Sequence, residues 1–185
     1  MSDTALLVID AQESFRQRQN WFEIDTATYL ARQQALIDGA RDKGHRIVRV
    51  LHAEPEGIFS IASGLVRPLA ELHYEPDHSI TKSRHSALIG TDLAVWLTEN
   101  GISRLIISGI RTEQCCETTA RNASDMGWQV DFVTEATLTM PITDSTGHTW
   151  SPDDIKARTA AVLDGRFARI VTVEAALNGP QSASA

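Results

Sequence analysis

Cysteine is scarce in this chain: two residues in 185, Cys115 and Cys116, and they are adjacent. Such neighbours provide neither a disulfide framework nor a CxxC zinc pattern, so a reducing, intracellular setting is expected. Long apolar runs are missing too; none reaches the roughly 20 residues of a membrane-spanning helix. The opening MSDTALLVID has no basic leader and no cleavable apolar segment, and a cytoplasmic location is the expectation. Positive charge is in deficit, with 17 Lys and Arg against 24 Asp and Glu, interspersed, for a net charge of -7. That argues against nucleic acid or an anionic membrane as partner. Internal repeats are absent.

What is present is 42% hydrophobic residues, over a length that supports one well-cored domain and is short for two. The domain is expected over 1–177. A small, polar, flexible tail is expected from Asn178 to Ala185.

The chain alternates short apolar runs with stretches of helical period. Ala5–Ile9, Arg46–Leu51, Ser79–Lys82, Arg104–Ser108, Gln129–Val133 and Ile170–Val173 read as strands. Ala5–Ile9 is continuously apolar, as in a strand buried on both faces. Between the strands, Thr26–Lys43 reads as a helix with Tyr29, Leu30, Gln33, Leu36, Ile37 and Ala40 on one face. Thr91 is placed as the N-cap of a helix over Asp92–Asn100, and Ser151-Pro152 opens another. Ile155, Thr159, Val162 and Leu163 form the less polar side of that last helix. His52–His78 is broken by Pro55, Gly57, Gly64, Pro68 and Pro76, with a short helix expected around Leu65–Leu72. Alternation of this kind means an α/β domain: a parallel sheet with helices on both faces.

The stretch Arg104 to Trp128 organises the rest. Its strand ends at the turn signal Ser108-Gly109, and a helix is expected over Cys115–Met126. Cys116, Ala120, Ala123 and Gly127 mark a small, sheet-facing side, while Glu117, Arg121, Ser124 and Asp125 mark a polar one. Cys115 therefore falls where a strand has ended and a helix begins. Unpaired N–H groups there favour an anion, and a nearby cation would help to make the thiol a thiolate. A buried structural cysteine is the plainer reading of a lone residue; the strand–turn–helix context favours a nucleophile.

Two further strand ends carry charge. Asp10 closes the first strand and Lys82 the third, at the edge where open parallel sheets place their sites. A carboxylate can take a thiol proton, an ammonium can hold a thiolate, and the thiolate can attack a carbonyl. Phe15, Trp21 and Phe22 follow Asp10 closely; they either wall a pocket or pack beneath the loop. Substrate determinants are expected in Phe15–Phe22, His52–Phe59 and Met140–Trp150.

Three motifs now resemble the isochorismatase-like cysteine hydrolases: LLVIDAQESF with Asp10, Gln12 and Phe15; TKSRHSALIGTDL with Lys82, Ser86, Gly90, Thr91 and Leu93; and GIRTEQCCETTARNA with Gly109, Thr112, Cys115, Thr118 or Thr119 and Ala123. The resemblance covers nearly the whole chain. It implies a single three-layer domain with a six-stranded parallel sheet in the order 3-2-1-4-5-6, and an Asp10-Lys82-Cys115 triad at its C-terminal edge. It also implies a cis peptide at Ile110–Arg111, which would aim the backbone N–H groups of Arg111 and Cys115 at a developing oxyanion. The implied activity is hydrolysis of an amide, carbamoyl or ureido C–N bond through a Cys115 thioester. Alternatives are a vinyl ether hydrolase of the isochorismatase type, using acid from Asp10, and a non-catalytic binding protein on the same fold.

In the nicotinamidase branch of that family an Asp-x-His element after the second strand binds a metal. This chain has His52-Ala53-Glu54 there, and its six histidines lack ligand spacing, so neither a metal nor a cofactor is expected. His52 and Glu54 are candidates for substrate contact or for surface and supporting roles. Arg111 points outward, reaches a partner subunit, or clamps a substrate carboxylate. Cys116 is expected to be a small packing residue. The expected partners are a small-molecule substrate and, from the resemblance, further copies of the chain.

Overall fold

Thr4–Ile9 forms β1, the strand on which the sheet is built, and all six residues are buried. In the computed structural model, which describes residues 2–179, β1 pairs in parallel with β2 (Arg46–His52) on one side and β4 (Arg104–Ile110) on the other. β3 (His78–Lys82) lies outside β2; β5 (Gln129–Leu138) and β8 (Arg169–Ile170) continue beyond β4. The order is β3-β2-β1-β4-β5-β8, all parallel, as expected. Consecutive residues of β1 serve opposite cores. Ala5, Leu7 and Ile9 pack with α2 (Leu93–Glu99), α3 (Glu117–Asp125) and α4 (Pro152–Leu163), whereas Leu6 and Val8 pack with α1 (Thr26–Asp42) and α5 (Val173–Asn178). That period of two explains why the strand is apolar at every position from Ala5 to Ile9.

Several local expectations give way to tertiary contacts. Residues 65–72 form no helix, because their backbone pairs with the loop after β1: Glu13 N–H donates to the Arg67 carbonyl, Ser14 to Leu65, and Leu69 to Ala11. Short 3₁₀ turns at Gly57–Phe59 and Ile61–Ser63 come earlier in that segment. Ser108-Gly109 is no turn; β4 runs on to Ile110 with a register shift against β5. Gly109 is required there, since its φ is 122° and a Cβ would lie 1.9 Å from the Ile9 carbonyl oxygen. Asp92, not Thr91, precedes α2, and its side chain makes no capping bond. Val173 starts a helix where a strand was expected, because the Thr172 hydroxyl accepts from the Ala175 N–H. The antiparallel hairpin of β6 (Ile142–Thr143) and β7 (Thr149–Trp150) had no expectation at all.

The segment after β4 also differs. Thr112–Cys116 is a π-helical turn, and α3 begins only at Glu117. Glu117, placed on the polar side, is buried: its carboxylate accepts from Arg121, Arg158 and Thr159. The expected flexible tail falls largely on residues 180–185, outside the described residues, although Asn178 closes α5. No described helix is long and apolar enough to cross a membrane.

Candidate active site

Parallel pairing brings Asp10, Lys82 and Cys115, each at or beyond the end of a strand, to one edge of the sheet. His52 is the last residue of β2 and Lys82 the last of β3, and they are partners in register. Ile9 of β1 pairs with Val50 on one side and with Gly109 on the other, so Asp10 emerges between β2 and β4. Asp10 adopts a φ of 50°, a left-handed conformation that aspartate tolerates better than most residues, and its N–H donates to the Val50 carbonyl. The π-helical turn after β4 carries Cys115 to the same place, following a cis peptide at Ile110–Arg111.

Lys82 joins the group. Its Nζ donates to Asp10 Oδ2 at 2.8 Å, to Cys115 Sγ at 3.4 Å and to His52 Nδ1 at 3.2 Å. An ammonium has three hydrogens, and each has an acceptor. His52 accepting at Nδ1 places its proton on Nε2, which faces Glu54 Oε1 at 3.5 Å. Gln12 fixes the end of β2: it accepts from the His52 N–H at 2.8 Å and donates to the His52 carbonyl at 3.0 Å. Asp10 Oδ1 has no hydrogen-bond partner among the described residues, so one face of the carboxylate stays open to a proton.

Burial dominates the electrostatics. It raises the Asp10 carboxyl, with Lys82 opposing. It pushes the Cys115 thiol up to about 12, with the Asp10 carboxylate adding to the rise and Lys82 working against it. Burial thus works against the expected resting thiolate, while the Lys82 ammonium works for it. Burial also lowers His52, and Lys82 lowers it further, which favours the neutral ring.

Above the thiol lies a cavity of about 150 Å³. Asp10, Cys115, His52 and Glu54 line it, as do Phe15, Phe59, Met140, Arg18, Asn20, Gln114, Arg111 and His85. Arg111 is half-buried, and its guanidinium is taken up by Glu113 at 3.0 Å and the Met140 carbonyl at 3.1 Å. Trp21, a candidate for substrate contact, does not line the cavity; it is buried in the core beneath the loop. Phe22 points away and is 82% exposed. Trp150 lies on the hairpin, so of the third expected loop only Met140 reaches the cleft. His85 had no sequence signal except its position three residues after Lys82, yet its Nδ1 stands 3.8 Å from Cys115 Sγ. Cys116 is fully buried in the core, as a packing residue should be.

The donor set does not fit a metal ion. The His52 Nδ1 lone pair faces an ammonium, and its other nitrogen faces Glu54. No group of three His, Cys, Asp or Glu among the described residues is arranged to hold one.

A family model described as the isochorismatase domain matches residues 4–166. The uncharacterized isochorismatase family protein YrdC of Bacillus subtilis is 25% identical over 94% of this chain and 94% of its own length. Streptothricin hydrolase of Streptomyces noursei is 29% identical over 75% of this chain and half of its own. The crystal structure of a candidate isochorismatase from Burkholderia xenovorans LB400 superposes with a TM-score of 0.86 at 30% identity, covering 95% of this chain and 86% of that one.

Proposed function

Since the chain belongs to the isochorismatase family of hydrolases, we propose that it is a cysteine hydrolase cleaving the C–N bond of a small amide, carbamoyl or ureido compound. One observation carries this reading: a single ammonium, Lys82 Nζ, lies within hydrogen-bond reach of both the Cys115 sulfur and the Asp10 carboxylate. Cys115 Sγ attacks the substrate carbonyl and its proton passes to Asp10. The resulting oxyanion is received by the backbone N–H groups of Arg111 and Cys115. As the tetrahedral adduct collapses, the C–N bond breaks, and the Asp10 proton goes to the departing nitrogen. The amine or ammonia leaves a Cys115 thioester. Water then gives a proton to Asp10 and attacks the thioester; the carboxylic acid departs, and the proton returns to sulfur.

Lys82 stabilises whichever partner is negative, so the proton can pass between Asp10 and Cys115 without exchanging with solvent. That resolves the high thiol value. The environment resists losing the proton to water, whereas transfer within the pair leaves the net charge of the site unchanged.

Screening small amides, carbamoyl compounds and ureido acids for ammonia release tests the reading, with the acyl-enzyme sought by mass spectrometry. Activity should vanish in Cys115→Ala and an acyl adduct should map to Cys115. A vinyl ether hydrolase needs no thiol, so turnover that survives Cys115→Ala would replace this chemistry with acid catalysis from Asp10.

A further inference from the structure

Among the charged groups that line the cleft, Arg18 stands apart. Asp10 is matched by Lys82, Arg111 by Glu113, and Glu54 faces the His52 ring. Arg16, two residues earlier, is spent on Glu13 and Glu71. Arg18 has no carboxylate within ion-pair distance among the described residues, yet it lines the cavity and lies close enough to Arg111 for their charges to oppose. Its guanidinium rests over the Phe59 ring, 5.4 Å from the centroid. This cation–π contact uses none of the guanidinium N–H groups, which are the groups that bind a carboxylate in bidentate fashion. Phe59 in turn meets Phe15 edge-to-face at 5.0 Å, so an apolar wall adjoins the cation.

We propose that the substrate is an acid amide whose carboxylate is bound by Arg18 at the mouth of the cleft while its amide carbonyl lies on Cys115. This rests on the hydrolase reading for the carbonyl and on the unmatched arginine for the carboxylate. One unmatched cation suits a singly charged anion. The small cavity suits a short spacer, a few methylenes lying against Phe15 and Phe59.

Calorimetric titration of Cys115→Ser with succinamate and with neutral succinamide tests the inference without turnover. Succinamate should bind at least about tenfold more tightly, as a charge-assisted bidentate contact allows. In Arg18→Met on the same background the preference should shrink to about threefold or less, and Arg18→Lys, which keeps the charge but not the fork, should retain part of it. Equal affinities in the parent, no binding of succinamate, or a preference that survives Arg18→Met would each overturn the proposal. The two readings fail separately. Binding through Arg18 with no ammonia released from any amide sinks the hydrolase, and hydrolysis indifferent to the carboxylate sinks the subsite.

Discussion

Lys82 Nζ lies 2.8 Å from Asp10 Oδ2, and neither side chain has any exposure to solvent. Such a pair is retained at a cost, because desolvating two charges offsets much of their attraction. Removing only the cation leaves a carboxylate buried without a partner. Lys82→Met is expected to lose roughly 3–5 kcal/mol of stability, and adding Asp10→Asn should recover part of the loss. Urea denaturation of the single and double variants measures the coupling; strictly additive losses would mean that the pair does not hold the site together.

The thiol makes a pH prediction. Its folded value is raised to about 12 from an ordinary value near 9. A group raised on folding contributes stability that is complete below its unfolded value and lost as pH climbs toward the folded one. Unfolding free energy should therefore decline above about pH 9, by up to about 1.4 kcal/mol per pH unit from this thiol. Cys115→Ser should show a shallower decline in urea midpoints between about pH 8 and 10. Identical slopes would remove Cys115 as the source.

The proton transfer proposed between Asp10 and Cys115 makes a second, kinetic prediction. Alkylation of Cys115 by iodoacetamide, followed by peptide mass spectrometry, should vary by less than about threefold from pH 6 to 9, because Asp10 rather than solvent accepts the proton. In Asp10→Asn that acceptor is gone, and the rate should climb roughly tenfold per pH unit, as for an ordinary thiol below its pKa. A steep profile in the unsubstituted protein would detach Asp10 from the proposed chemistry of Cys115.

Gly109 tests the architecture rather than the chemistry. Its φ of 122° and the Ile9 backbone, whose carbonyl oxygen would be 1.9 Å from an added Cβ, leave an alanine no room. Gly109→Ala is expected to cost at least about 3 kcal/mol, since backbone rather than a flexible side chain must yield. A thermal midpoint within about 2 °C of the parent would show that β1 and β4 can separate at that point.

A parallel sheet with Asp10, Lys82 and Cys115 at one of its edges was legible in the residues themselves, whereas the strand order was implied only by the resemblance to the isochorismatase-like hydrolases. Parallel strands buried on both faces announce themselves as unbroken apolar runs, and the residue that ends each run must appear at one edge of the sheet. Glu117 and residues 65–72 were read wrongly because local pattern cannot register a partner far away in the chain. Arg158 and Thr159 neutralise Glu117 from α4, and the loop after β1 claims the backbone of residues 65–69.

Distance and burial decided the remainder. The approach of His85 to sulfur, the placing of Arg18 over Phe59 and the withdrawal of Trp21 into the core join segments tens of residues apart, which no spacing rule connects. Burial raises the Cys115 thiol, against the expectation from sequence, for a related reason. A helix terminus and a lysine can be read from a string of letters, but the removal of water from around the sulfur, the larger effect, exists only once the chain has closed over it.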